Sequence, residues 1–141
     1  IKKHPLARAV RADKVALAGI TATLLHYLKD EAEREIPIWR MISMPPKQIK
    51  MRAEMWAKNL GRGKVIAGES AVGGGSLPGE TLPTWLLALD VGKLDKFLAQ
   101  LRKQNPPVIA RTENDKILLD PRTVLPEQEG ALLVALQNTL K

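Results

Sequence analysis

Val108-Ile109-Ala110-Arg111-Thr112-Glu113-Asn114-Asp115-Lys116-Ile117-Leu118-Leu119-Asp120 is the stretch whose reading decides the fold class. Two short β-favouring runs, residues 108–111 and 117–120, flank Asn114 and Asp115, residue types that tolerate the backbone of a tight turn. The stretch therefore predicts a hairpin. Helical patterns bracket it. Leu94, Phe97, Leu98 and Leu101 recur at helical spacing and predict a helix over 93–104, broken by Pro106-Pro107. Pro126 opens a final helix that turns Leu133, Leu136 and Leu140 inward.

Further upstream, residues 84–89 read as a buried strand and residues 65–67 as a short one. Between them lies Glu69-Ser70-Ala71-Val72-Gly73-Gly74-Gly75-Ser76-Leu77-Pro78-Gly79-Glu80, expected to be a glycine-rich loop. Residues 46–60 form a helix with Ile49, Ala53, Trp56 and Leu60 on its buried face, ended by Gly61 or Gly63. Its basic residues fall mainly off that stripe. Residues 37–44 form a shorter helix, and residues 6 to 29 one long helix with Leu17, Ile20, Leu24 and Leu28 along one face. The order is three helices, two strands, a helix, two strands and a helix. That order predicts an α+β fold with a small, mostly antiparallel sheet covered by helices.

The chain of 141 residues has an ordinary apolar content of 45% but only 4% aromatics, so its core is aliphatic. It contains no cysteine, which excludes disulfides and thiolate chemistry and fits a reducing, cytoplasmic setting. No apolar run approaches the roughly 20 residues that span a bilayer, so no membrane association is expected. The chain opens Ile1-Lys2-Lys3-His4-Pro5 without an initiating Met and without a visible signal peptide, the expectation for a piece cut from a longer chain as much as for a processed one. The net charge is +7. The positive residues crowd into two stretches, Lys2 to Lys14 and Lys47 to Lys64, a distribution that favours polyanionic or phosphate-bearing partners.

Arg8 and Arg11 are three residues apart near the expected start of the long helix. Helical spacing puts both guanidinium groups on one face, beside exposed N–H groups. On spacing alone the pair is either an oxyanion site or a solvated basic face. Gly73, Gly74, Gly75 and Ser76 form no standard phosphate loop, since the Gly-Lys-Ser/Thr ending is missing. They either let a ligand or a neighbouring subunit approach the backbone or form a plain connector. Arg111 and Arg122 flank the hairpin, where an arginine either captures a carboxylate or phosphate or forms a surface salt bridge. His4 and His26 have no partners at metal-ligand spacing, so no metal site is expected. Ser70 and Ser76 show no His or Asp partner in the sequence. Glu31, Glu33 and Glu35 read as a solvated acidic patch, and Trp39, Trp56 and Trp85 as core.

Three stretches, in order, carry a resemblance across nearly the whole chain. They are His4-Pro5-Leu6-Ala7-Arg8-Ala9-Val10-Arg11-Ala12-Asp13-Lys14, Gly68 to Glu80 followed by Leu82-Pro83-Thr84, and Pro106-Pro107-Val108-Ile109-Ala110-Arg111 with Leu118-Leu119-Asp120 and Arg122-Thr123-Val124-Leu125-Pro126. Together they resemble the C-terminal part of the bacterial selenocysteine synthase family, the L-seryl-tRNA(Sec) selenium transferases. The resemblance implies a fold-type-I pyridoxal 5'-phosphate (PLP) enzyme that converts seryl-tRNA(Sec) to selenocysteinyl-tRNA(Sec) with selenophosphate. It implies that residues 1–35 are a linking helix and connector from the large PLP domain and residues 36–141 the small C-terminal domain. It also implies a homo-oligomer, a ring of dimers. The family's Schiff-base lysine belongs to a segment upstream of His4, so no catalytic residue is expected in this chain, and Lys14 belongs to a different motif. Without that lysine the chain by itself is expected to be inactive. Arg8 and Arg11 fall where the family binds its anionic selenium donor. Two other functions fit the same residues: a related PLP-dependent lyase on a small amino substrate, and a non-catalytic RNA-binding or assembly domain.

Overall fold

A computed structural model describes residue 4 and residues 11–73 and 79–141. The backbone divides into two compact units, Ile1–Arg40 and Met41–Lys141.

In the first unit, helix α1 spans Lys14–Leu28. The helix expected from residue 6 is not continuous to there, because residues 11–13 are not helical. The cause is local. Asp13 adopts an extended backbone and its Oδ1 accepts from the Ala16 N–H at 2.7 Å, capping the helix at that point. The expected apolar stripe is present, with Leu17, Ile20 and Leu24 each more than half exposed. A left-handed Asp30 leads into the single turn α2, Ala32–Glu35, and then α3, Pro37–Ser43. In the acidic run Glu33 and Glu35 are solvated as expected, but Glu31 is not. Glu31 is half-buried and gathers His26 Nδ1 at 2.9 Å, Arg34 Nη2 at 3.2 Å and Lys29 Nζ at 3.8 Å. Trp39 is likewise not core; its Nε1 donates to the Tyr27 hydroxyl at 2.6 Å near the surface.

The second unit is the α+β layer expected. Helix α4, Pro46–Leu60, begins with its proline where no N–H is needed and ends at Gly61 in the left-handed region. Strand β1, Lys64–Ala71, pairs antiparallel with β2, Thr81–Leu89. Helix α5, Leu94–Arg102, leads through a cis Asn105–Pro106 bond to β3, Arg111–Glu113. β4, Lys116–Leu119, pairs with both β3 and β2, giving a four-stranded antiparallel sheet in the order β1-β2-β4-β3. Asn114 and Asp115 both take positive φ, as a two-residue hairpin turn demands. Short 3-10 turns at Pro121–Thr123 and Pro126–Gln128 precede α6, Glu129–Leu140.

Strand bounds depart from expectation in β1, β2 and β3. β2 starts at Thr81 rather than residue 84, and β1 runs through Gly68-Glu69-Ser70-Ala71, the last three of which were expected to be loop. Unbroken pairing from Lys64 with Ala88 to Ala71 with Thr81 overrides weak local β preference. β3 lies later than the expected 108–111, at Arg111–Glu113, because Val108 and Ala110 pack on the core outside the ladder.

Period-two alternation divides the sheet's residues between its faces. Leu87, Leu89, Ile117 and Leu119 meet Trp56 of α4, Phe97 and Leu101 of α5, and Leu132 and Leu136 of α6. Leu86, Ala88 and Leu118 form a separate cluster. Ile49, Ala53 and Trp56 are fully buried, as the stripe on α4 predicted. A side chain the size of Ile49 contributes about 1.5–3 kcal/mol by leaving water, and Ala53 less. Trp85 is only half-buried, with Lys50 Nζ 4.4 Å from its ring centre.

Lys47, Lys50 and Lys58 keep off the buried face of α4 as expected, and Arg52 is the basic residue that does not. It is 8% exposed and lies beside Ile49, Ala53 and Trp56. Its Nε donates to Glu129 Oε1 at 2.6 Å, Nη1 to the Pro121 carbonyl at 2.7 Å and Nη2 to the Val124 carbonyl at 2.6 Å. Trp56 Nε1 donates to the same Glu129 oxygen at 3.0 Å. Removing one member leaves a poorly solvated charge, which costs more than the pair contributes net. Arg52→Met is therefore expected to lower unfolding free energy by about 3–5 kcal/mol in urea titrations. Adding Glu129→Leu is expected to restore part of that loss, because the second orphaned charge is then gone.

Candidate functional site

The chemistry-bearing residues converge on the distal half of the β1–β2 hairpin, from which the glycine-rich connection springs. Val72 N–H donates to the Glu80 carbonyl at 3.2 Å, extending the pairing past the strand ends. Gly73 (φ +146°) and Gly79 (φ +85°) then take backbone angles that side-chain-bearing residues avoid. Gly68, further down β1, is required for a different reason: a Cβ there would lie 2.5 Å from Leu86 Cδ1.

The hairpin is held by the segment that follows β4. Asp120 accepts from the Ser70 hydroxyl through Oδ2 and from the Thr84 hydroxyl through Oδ1, the latter at 2.9 Å. Its Oδ1 also accepts from the Arg122 N–H at 2.9 Å, closing the turn. Ser70 and Thr84 are buried. Sequence spacing gave no sign of this trio, since Ser70 and Asp120 are brought together only by the folded sheet.

Arg122 is not a surface salt-bridge residue. It is 5% exposed, and its Nη1 donates to the carbonyls of Met41 and Ile42 at 2.9 Å and of Met44 at 3.3 Å. Its Nη2 donates to the Pro83 carbonyl at 2.8 Å. Burial pushes the guanidinium below its ordinary pKa, and the neighbouring Asp120 opposes that shift. Arg111 is the contrasting case. It is exposed on β3 and donates to the Glu69 carbonyl at 3.1 Å. It lines an open groove of about 530 Å³ with Ile66, Leu86, Lys116 and Leu118.

Arg11 is exposed and lies ahead of the Asp13 cap, so helical spacing does not set its direction. Arg8, Gly74, Gly75 and Ser76 lie outside the described residues. Among the described residues, no helix is long and apolar enough to cross a membrane, and no group of three or more His, Asp or Glu side chains is placed to hold a metal ion. Every described lysine is exposed. A lysine that forms a Schiff base works in a desolvated setting, which none of the described lysines has in this structure.

Comparison with known proteins adds the family context. The family model for L-seryl-tRNA selenium transferase matches residues 1–125. An L-seryl-tRNA(Sec) selenium transferase of Carboxydothermus hydrogenoformans is 39% identical over 136 residues, covering 91% of this chain and 29% of the relative. Those of Geobacter sulfurreducens and Desulfovibrio desulfuricans are 37% and 39% identical, covering 98% and 99% of this chain and 32% of each relative. The chain thus spans about a third of the length of the curated relatives it matches.

The two hairpin arginines are expected to respond differently to a change that keeps charge but removes the planar fork. Arg122→Lys reaches fewer of the four carbonyls and is expected to cost about 2–3 kcal/mol. Arg111→Lys, with one exposed hydrogen bond to lose, is expected to stay within about 0.5 kcal/mol of the parent. Thermal or urea unfolding of the two variants side by side measures the contrast.

Proposed function

The chain belongs to the L-seryl-tRNA selenium transferase family, and from that premise we propose that it is the C-terminal part of an enzyme that converts seryl-tRNA(Sec) to selenocysteinyl-tRNA(Sec) with selenophosphate. The observation that carries this reading is the family match over residues 1–125, which takes in all of the glycine-rich string and both arginines of the first motif. Residues 1–35 serve as the linking helix and connector, and residues 36–141 as the small domain. The exposed Leu17, Ile20, Leu24 and Leu28 support that division, since a helix with an apolar face and no cover is suited to packing against the remainder of a larger protein.

In this reading Arg8 and Arg11 bind the anionic selenium donor. Two guanidinium groups hold a phosphate-like oxyanion through paired, charge-assisted hydrogen bonds that a lysine does not reproduce. Gly73, Gly74, Gly75 and Ser76 contact substrate or a neighbouring subunit, with their backbone open to close approach. The groups that hold PLP belong to the part of the protein outside this chain, and no step of the reaction is assigned to a lysine here. The chain alone is then inactive. A reaction on charged tRNA sets the protein in the cytoplasm, and the active assembly is a homo-oligomer.

The decisive measurement is PLP-dependent formation of selenocysteinyl-tRNA by the full-length parent, supplied with seryl-tRNA(Sec) and selenophosphate. Product is expected. A folded, cofactor-loaded parent that forms none points instead to a lyase on a small amino substrate. In the active parent, Arg11→Ala is expected to raise the KM for selenophosphate at least tenfold, about 1.4 kcal/mol of lost donor binding, while PLP absorbance stays at the parent level. Unchanged donor kinetics would remove Arg11 from the site.

A further inference from the structure

We propose that Asp120 is a positioning residue that holds both ends of the glycine-rich connection in place for use at the substrate site. The catalytic half of this inference rests on the reading above, in which the connection contacts substrate.

The physical half stands on the hairpin. β4 pairs with β2 only over Leu87 to Leu89, whereas β1 and β2 stay paired as far as Ala71 and Thr81. The distal part of the hairpin therefore outruns the β4 ladder. Asp120 follows directly on β4, where that ladder ends. Its two oxygens take one hydroxyl from each strand, Ser70 of β1 and Thr84 of β2. These residues are not register partners, since Ser70 opposes Leu82 and Thr84 opposes Gly68. The carboxylate thus ties the strands diagonally, which resists sliding as well as separation.

Two further contacts from the same segment reinforce the tie. Arg122 Nη2 reaches the Pro83 carbonyl on β2, and Arg111 Nη1 reaches the Glu69 carbonyl on β1. Two adjacent pairs of anchor points, Glu69 and Ser70 on one strand and Pro83 and Thr84 on the other, are thereby fixed to residues 111–122. Neither Ser70 nor Thr84 belongs to either apolar cluster, so the tie acts on the hairpin's placement rather than on core packing.

The test uses the full-length parent and the double variant Ser70→Ala/Thr84→Val, which removes both hydroxyls and leaves the Asp120–Arg122 turn intact. Asp120→Asn is run beside it, and Thr84→Ser serves as the conservative rescue. Amide exchange around residues 70–73 and 79–82 is expected to quicken about thirtyfold, the equivalent of two net hydrogen bonds lost. The KM for selenophosphate is expected to rise by a similar factor with kcat within about twofold, while the KM for seryl-tRNA stays put. Thr84→Ser is expected to match the parent. Parent-like exchange in the double variant overturns the clamp. Faster exchange with parent-like kinetics, or a fall in kcat with both KM values raised and a lower unfolding temperature, overturns the positioning role. A parent that makes no selenocysteinyl-tRNA fails the family reading and takes the catalytic half of this proposal with it; the exchange measurement then judges the clamp alone.

Discussion

Two buried guanidinium groups set the architecture of residues 41–141. Arg52 ties α4 to the 3-10 turn at Pro121, to Val124 and to the first residue of α6. Arg122 ties that same turn back to the carbonyls around Met41–Met44 and to Pro83 on β2. A planar fork with five donors is the one side chain able to meet several fixed acceptors at once from a buried position. The apolar core supplies most of the driving force for folding, but it is non-directional. The two arginines specify how the loop between β4 and α6 sits against the sheet, and through Asp120 they specify the hairpin as well.

This arrangement separates stability from presentation. Trp56, Leu87, Leu101, Ile117 and Leu136 form the packed layer, and a change among them is felt as a cavity. The polar segment from Asp120 to Val124 lies at the edge of that layer and sends its bonds outward to the hairpin. Gly73 and Gly79 take backbone angles that other residues avoid, and the strand ends beside them are defined from outside the hairpin. The buried Ser70 and Thr84 hydroxyls, held by the half-buried Asp120, provide that definition with short polar side chains.

The first unit follows a different logic. Its internal ties are polar and local, from the Asp13 cap to the Glu31 cluster and the Tyr27–Trp39 bond. Its apolar side chains face outward, with Val15 and Leu28 more than four-fifths exposed. A helix that is apolar on most sides and covers none of them is stabilised by tertiary packing rather than by propensity. That agrees with a chain that spans about a third of its relatives.

The sequence by itself determined the element types, the α+β class and the family. Helical spacing on α4 and α5, the Asn114-Asp115 turn and the glycine-rich string are local signals, written in residues close together along the chain. It also marked Arg8, Arg11, Arg111 and Arg122 as arginines worth weighing, without telling a ligand-facing one from a buried one. Tertiary structure alone decided that β1 continues through Ser70, that Arg52 lies inside the core face, and that Arg122 binds carbonyls. It alone brought Ser70, Thr84 and Asp120 together, from positions 36 and 50 residues apart in the chain. The physical reason is the range of the forces. Backbone propensity and periodicity act over a few residues, whereas a buried polar group takes whatever partner the packed sheet and helices carry to it, and that partner's sequence position is not encoded in the neighbourhood of either residue.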